Sequence, residues 1–187
     1  MSHPLKVVTV SGSPSVPSKT SVLVETIAAE LGRRRKLQVE SLEIAKLVTH
    51  LGSTTSLKDS HPDVRASVKA IESADLLIVG TPVYRGSYTG LFKHLFDLVH
   101  HEALFNVPVL LAASGGSDRH ALVIDHQLRP LFSFFQSLTL PIGVYATDAD
   151  FTDYRISSQP LLDRIDLAVD RALPWLATSS VPLSQAA

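Results

Sequence analysis

Apolar and polar positions along the chain fall into two alternating patterns. Short aliphatic runs occupy residues 5–10, 76–79, 107–113 and 140–146, and those at 76–79 and 107–113 contain no polar side chain. Such runs predict strands buried on both faces. Residues 37–42 instead alternate apolar and polar positions, as a half-exposed edge strand does. Between these runs lie longer stretches of helical spacing, at residues 20 to about 33, 62–73, 88 to about 101, 118 to about 135 and 160 to about 176. Pro62 suits the first turn of its helix, where a missing N–H costs nothing. Two stretches break the rhythm. Residues 45–61 are rich in Ser and Thr and read as a loop, and residues 147–159 read as a polar connection.

The resulting order, βαβαβαβαβα, demands right-handed crossovers and a parallel sheet with helices on both faces. The fold class is therefore α/β, and by analogy with other doubly wound sheets five strands suggest the flavodoxin-like order 2-1-3-4-5. A chain of 187 residues with 45% apolar content can bury one sizeable core. Trp175 and Leu176 are its last bulky apolar pair. Residues 1–176 are thus expected to form a single domain, and residues 177–187, mostly small and polar, a disordered tail.

In such a sheet the turns leaving the carboxyl ends of the strands meet at the topological switch point. The first strand runs into Ser11-Gly-Ser-Pro, and Ser11, Ser13, Ser18, Thr20 and Ser21 cluster hydroxyls before and into the next helix. Hydroxyls and free backbone N–H groups at a helix start make a ready phosphate site. An ordinary Ser-rich turn with a helix cap is the alternative. The loop is neither Gly-x-Gly-x-x-Gly nor a Walker sequence, which excludes a dinucleotide Rossmann turn and a P-loop. The third strand runs into Gly80-Thr-Pro-Val-Tyr-Arg-Gly-Ser-Tyr-Thr-Gly90, where Pro82 stiffens the turn and Val83 and Tyr84 offer a flat apolar surface. Its glycines permit close backbone approach. Ala113-Ser-Gly-Gly-Ser-Asp118 follows the fourth strand. A hydroxyl-lined anion pocket beside an aromatic-edged, glycine-walled slot is the shape that a phosphorylated planar cofactor needs.

Gly12-Ser-Pro-x(3)-Ser-Lys-Thr-Ser21, residues 81–90 and Ser114-Gly-Gly116 resemble the motifs of NAD(P)H-dependent FMN reductases. Nearest in pattern are the reductase components of two-component alkanesulfonate and methanesulfonate monooxygenase systems. The resemblance places the FMN phosphate against Ser11, Ser13, Ser18, Thr20 and Ser21. It places the isoalloxazine against Pro82, Val83, Tyr84 and Arg85, with Gly115, Gly116 and Ser117 along its other side and Ser87 as a further contact. It implies reduction of FMN by NADH or NADPH, a homo-oligomer (dimer or tetramer), and a flavin-dependent monooxygenase as acceptor of the FMNH2. Hydride would pass between two cofactors, so no side chain is assigned a catalytic role. Nicotinamide preference is not legible, and Arg85 and Arg119 are the residues that could reach a 2′-phosphate.

Pro130 lies inside the helix expected over residues 118–135 and cannot donate to the carbonyl of His126. A kink or π-bulge is expected between the two. In the alkanesulfonate reductases an inserted tyrosine makes a π-helix at the subunit interface near the flavin, and alignment puts His126 at that position. Two readings stay open. His126 packs across an oligomer interface and governs flavin retention, or it is a surface histidine beside a proline kink. Phe132, Phe134 and Phe135 are too many rings for one buried stripe, so some face a partner subunit or the core is broad.

Charge and composition narrow the function classes. The net charge is −1 and Lys and Arg are scattered, leaving no face for nucleic acid. The cluster Arg33 to Lys36 falls where a helix ends, and cations there suit the helix dipole. Absence of cysteine excludes disulfides, thiolate catalysis and Cys-ligated metals. Asp118, His120, Asp125 and His126 invite a metal reading, but Asp125 and His126 are adjacent and point about 100° apart on a helix. No metal is expected. With no apolar run of about 20 residues and no signal peptide, a cytoplasmic protein is expected rather than a membrane one. Two rival functions remain: a quinone or azo-dye reductase that keeps its FMN, and a flavodoxin-type electron carrier. The second is disfavoured by the charge, since such carriers are strongly acidic.

Overall fold

A computed structural model describes residues 3–176, so the tail expected at 177–187 lies outside the described residues. The first apolar run forms β1 (Leu5–Ser11), which pairs in parallel with β2 (Leu37–Glu43) on one side and β3 (Leu76–Pro82) on the other. β3 pairs with β4 (Pro108–Gly115), again in parallel. The far side of β4 is shared by two short strands, β5 (Leu138–Thr139) and β6 (Val144–Thr147). The order is therefore 2-1-3-4 with a divided fifth position. A single strand over residues 140–146 is thus corrected. Pro141 has no N–H to give the ladder, and at Gly143 a Cβ would lie 2.7 Å from Ile124 Cγ2.

Six helices among the described residues cover the sheet: α1 (Lys19–Gly32), α2 (Ile44–Leu51), α3 (Pro62–Glu72), α4 (Gly90–Asp97), α5 (Arg129–Phe134) and α6 (Gln159–Leu176). Side chains alternate across each strand, so the apolar runs feed two cores. Leu5 and Val7 of β1 join Leu76 and Ile78 of β3 against Leu23 and Ile27 of α1 and Ile165 and Val169 of α6. Val8 and Val10 join Leu77 and Val79 against Leu47, Val68, Phe92 and Phe132, on α2 to α5. β2 is the exposed edge that its alternation predicts, with Val39 open to solvent. Arg34 ties α1 to α6 through Glu30 at 2.6 Å and Asp170 at 3.1 Å, and Arg35 donates to the Leu176 carbonyl at 2.9 Å. No described helix is long and apolar enough to cross a membrane.

Three further expectations need correction. The stretch read as a loop at 45–61 begins with α2, whose Ile44, Leu47 and Leu51 lie on one face and are all buried. The helix expected over 88–101 ends at Asp97, and His100 lies beyond it, its N–H donating to Glu72 at 2.8 Å. The helix expected over 118–135 is three pieces: a 3-10 turn at Asp118–His120, a π-helical turn at Ile124–Leu128, and α5. The polar connection carries a small hairpin, β7 (Phe151–Thr152) with β8 (Arg155–Ile156), closed by Asp153 and Tyr154 at positive φ.

Candidate functional site

Because β1 and β3 are neighbours, the loops that leave them run side by side. The Gly12 N–H donates to the Gly80 carbonyl at 2.7 Å, and the Thr89 hydroxyl donates to the Gly12 carbonyl at 2.8 Å. A Cβ at Gly12 would sit 2.8 Å from Phe92 Cδ2 and 3.0 Å from that Gly80 oxygen, so only glycine passes there. Ser18 caps α1, its hydroxyl accepting from the Ser21 N–H at 3.2 Å. Thr20, buried, shares a hydrogen bond of 2.7 Å with Ser114, which joins the first loop to the end of β4.

The second loop folds back on itself. Tyr84 N–H donates to the Ser87 carbonyl at 2.8 Å and Ser87 N–H returns to Tyr84 at 3.2 Å. The two residues between them, Arg85 and Gly86, have φ of 52° and 82°, as a two-residue hairpin with a primed turn requires. The turn leaves the Tyr84 ring half exposed. Val83 N–H donates to the Ser114 carbonyl at 2.8 Å, locking this loop to the third. There the Tyr145 hydroxyl donates to the Ser117 carbonyl at 2.7 Å, and a Cβ at Gly115 would clash with it at 2.3 Å. Burial, with the carboxylates of Asp118 and Asp148 adding to it, raises the Tyr145 hydroxyl above the usual phenol value and keeps it a donor.

The three loops enclose an open groove of about 310 Å³, at the small end of ligand sites. Of the expected residues, Ser13, Ser18, Thr20, Pro82, Val83, Tyr84, Gly115 and Gly116 line it together. Ser11 does not; it is buried, and its hydroxyl accepts from Ser21 at 2.8 Å, so these two stand behind the loop. Arg85 is exposed in the hairpin turn, Ser117 lies outside the lining, and Ser87 donates to Gln127 Oε1 at 3.0 Å. Residues not anticipated complete the wall: Ser15, Pro17, Lys19, Ser114, Asp148 and Tyr154. Lys19 is named in the first motif and Ser114 in the third, and Ser15 and Pro17 fall at the first motif's unspecified positions. Asp148 and Tyr154 come from the polar connection and carry no local signal.

The kink expected at Pro130 is a π-turn, closed by the Arg129 N–H on the Ile124 carbonyl five residues back. His126 is exposed on it. The polar link from this turn to the groove runs through Gln127, by the bond to Ser87. Two groups bring three possible metal ligands within 4.8 Å, His50 with His61 and Asp63, and His100 with His101 and Glu102. Neither contributes to the groove. Larger grooves lie between α1 and β2, about 460 Å³, and beside α4 and α5, about 570 Å³, but neither holds the hydroxyl and glycine set.

The chemistry of the groove is that of an anion cradle beside a flat slot. Hydroxyls of Ser13, Ser18 and Thr20 meet the positive end of α1, where a phosphate finds both donors and dipole. Glycines at 115 and 116 keep the opposite wall free of side chains, and Tyr84 and Val83 supply the apolar edge. The residues present therefore fit FMN.

Comparison with known proteins agrees with this chemistry. The model of the family described as NADPH-dependent FMN reductase matches residues 5–152. The chain is 56% identical to the NADH-dependent FMN reductase SfnF of Pseudomonas fluorescens, over 98% of each chain. It is 55% identical to an FMN reductase (NADPH) of Pseudomonas aeruginosa, covering 93% of this chain and 94% of that one. Among solved structures, an oxidoreductase from Corynebacterium diphtheriae is similar with a TM-score of 0.82 and 31% identity, covering 94% of this chain and 98% of that one.

Proposed function

Since the chain belongs to the NADPH-dependent FMN reductase family, we propose that it reduces FMN to FMNH2 at the expense of NADH or NADPH in the groove just described. The observation that carries the reading is the convergence of three loops on one groove with hydroxyls at one end and a glycine wall at the other. Bound FMN supplies the hydride acceptor and the nicotinamide the hydride, so the protein's work is orientation and electrostatics. Ser13, Ser18 and Thr20, with the start of α1, hold the phosphate. Pro82, Val83 and Tyr84 border the ring on one side. Backbone N–H groups of Gly115 and Gly116 border it on the other, where they can meet negative charge as it develops. The Tyr145 bond to Ser117 keeps that glycine turn in place. No side chain is required to transfer a proton.

The open groove suits a flavin that departs after reduction. A flavin-dependent monooxygenase of the alkanesulfonate or methanesulfonate type is the acceptor this reading assigns, in the cytoplasm, with residues 1–176 as one catalytic domain working in a homo-oligomer. Two of the relatives differ in the nicotinamide they are named for, NADH in one and NADPH in the other. Initial rates with each nucleotide at varied FMN therefore come first. Rapid oxidation dependent on added FMN, from a protein that purifies with little flavin, is the expected result. A yellow protein with ping-pong kinetics towards quinones or azo dyes would favour the FMN-retaining alternative. A protein that neither binds FMN nor oxidises NAD(P)H when FMN is added would overturn the reading.

A further inference from the structure

Lys19 is the first residue of α1, a place where the positive end of a helix disfavours a cation. Its ammonium nonetheless lies 2.8 Å from Asp148 Oδ1 and 5.8 Å from the centre of the Phe151 ring, with only 32% of the side chain exposed. Asp148 is held there by its neighbours. It follows Thr147, which is in register with Gly115, and Thr147 gives both its N–H and its hydroxyl to Asp150 Oδ2, at 2.7 and 2.8 Å. Among the described residues lining the groove, Lys19 is the one cation and Asp148 the one anion. A phosphate entering the hydroxyl cradle thus meets a lysine that is already neutralised, with a carboxylate beside it.

We propose that the Lys19–Asp148 pair is a latch that the 5′-phosphate of FMN must displace, so that Asp148 sets how readily the flavin leaves. This rests on reading the groove as the flavin site. With phosphate bound, Lys19 turns to the incoming dianion and Asp148 stands as a like charge nearby. When the flavin departs, Asp148 takes Lys19 back, and the ammonium is not left uncompensated at the helix start. The pair is partly exposed, so its effect is modest, about two- to fivefold in affinity.

Flavin fluorescence titrations of the full chain with FMN and with riboflavin, which lacks the phosphate, test this. Asp148→Asn should bind FMN about two- to fivefold tighter and leave riboflavin affinity unchanged. Lys19→Met should weaken FMN, and in its presence Asp148→Asn should give a smaller gain, limited to the carboxylate's repulsion of the phosphate. Unchanged or weaker FMN binding by Asp148→Asn, or an equal shift for riboflavin, overturns the latch while an active parent protein leaves the flavin reading intact. Failure of the parent protein to bind or reduce FMN overturns the flavin reading, and the latch with it.

Discussion

Thr147 and Asp150 close the short turn that carries Asp148 into the groove, and Asp150 is the residue whose protonation that turn resists. Burial opposes its charge, but hydrogen bonds from the Ser158 hydroxyl, the Thr147 N–H and the Thr147 hydroxyl outweigh it and hold the carboxyl below its usual range. A carboxyl depressed in the folded state contributes stability above its unfolded pKa and loses it as pH falls through the folded value. Asp150→Asn should therefore lower the urea midpoint near neutral pH, and the gap should close on acidification below about pH 4. Urea melts across that range check it, and a gap independent of pH would refute it. At this scale the sequence was legible where chemistry is local. Ser13, Ser18 and Thr20 cluster around the start of α1, the local pattern from which the proposed anion site was read. Asp148 and Tyr154 belong to no such pattern, because they come from the connection after β6, far along the chain from the loops they join.

Among the elements, the π-turn at Ile124–Leu128 bears most on function. Pro130 explains its existence, since no N–H at that position can close the regular helix. Ile124 and Leu128 face the core, which leaves Asp125 and His126 outside and Gln127 toward the hairpin of Tyr84. Gln127→Ala removes the acceptor for Ser87 and should raise the KM for FMN about two- to fivefold, the worth of one ordinary hydrogen bond. An unchanged KM would show that the hairpin holds without it. His126→Ala separates the two readings of that residue. An interface role predicts altered flavin retention or assembly mass, and unchanged affinity, kinetics and mass would remove it. The elements missed from the sequence left little local signal. α2 is only eight residues long and runs without a break from β2 into a Ser- and Thr-rich turn, so its buried positions Ile44, Leu47 and Leu51 span too short a segment to stand out from the loop. The division between β5 and β6 carries one local signal, Pro141, while the packing of Gly143 against Ile124 is a contact no strand pattern reports.

Over the whole molecule, the proposed homo-oligomer would draw on apolar side chains that the described residues leave exposed. Phe132 and Phe135 are buried, whereas Phe134 is 68% exposed on the same short helix and Leu122 63% exposed ahead of the π-turn. Phe134 borders the groove of about 570 Å³ beside α4, with Tyr88 and Leu131. An exposed ring of this kind is a common feature of subunit contacts. Phe134→Glu should lower the assembly mass seen by light scattering while leaving the circular dichroism spectrum unchanged. An unaltered mass would remove Phe134 from the proposed contact, and a monomeric parent protein would remove the homo-oligomer itself.

The alternation of buried runs and amphipathic stretches was enough for the α/β class and the parallel sheet, because period and burial are written into each segment separately. The strand order came by analogy with other doubly wound sheets. The hydroxyl-rich first loop also offered the proposed phosphate cradle, since its residues are neighbours in sequence. What only the tertiary structure decided is which of those hydroxyls face the groove. Ser11 and Ser21 bond each other behind the loop, and Ser114 joins Thr20 from another strand. It also brought Asp148 across from the end of β6 to Lys19. Contacts between distant segments depend on strand register and loop path, and no local pattern encodes those.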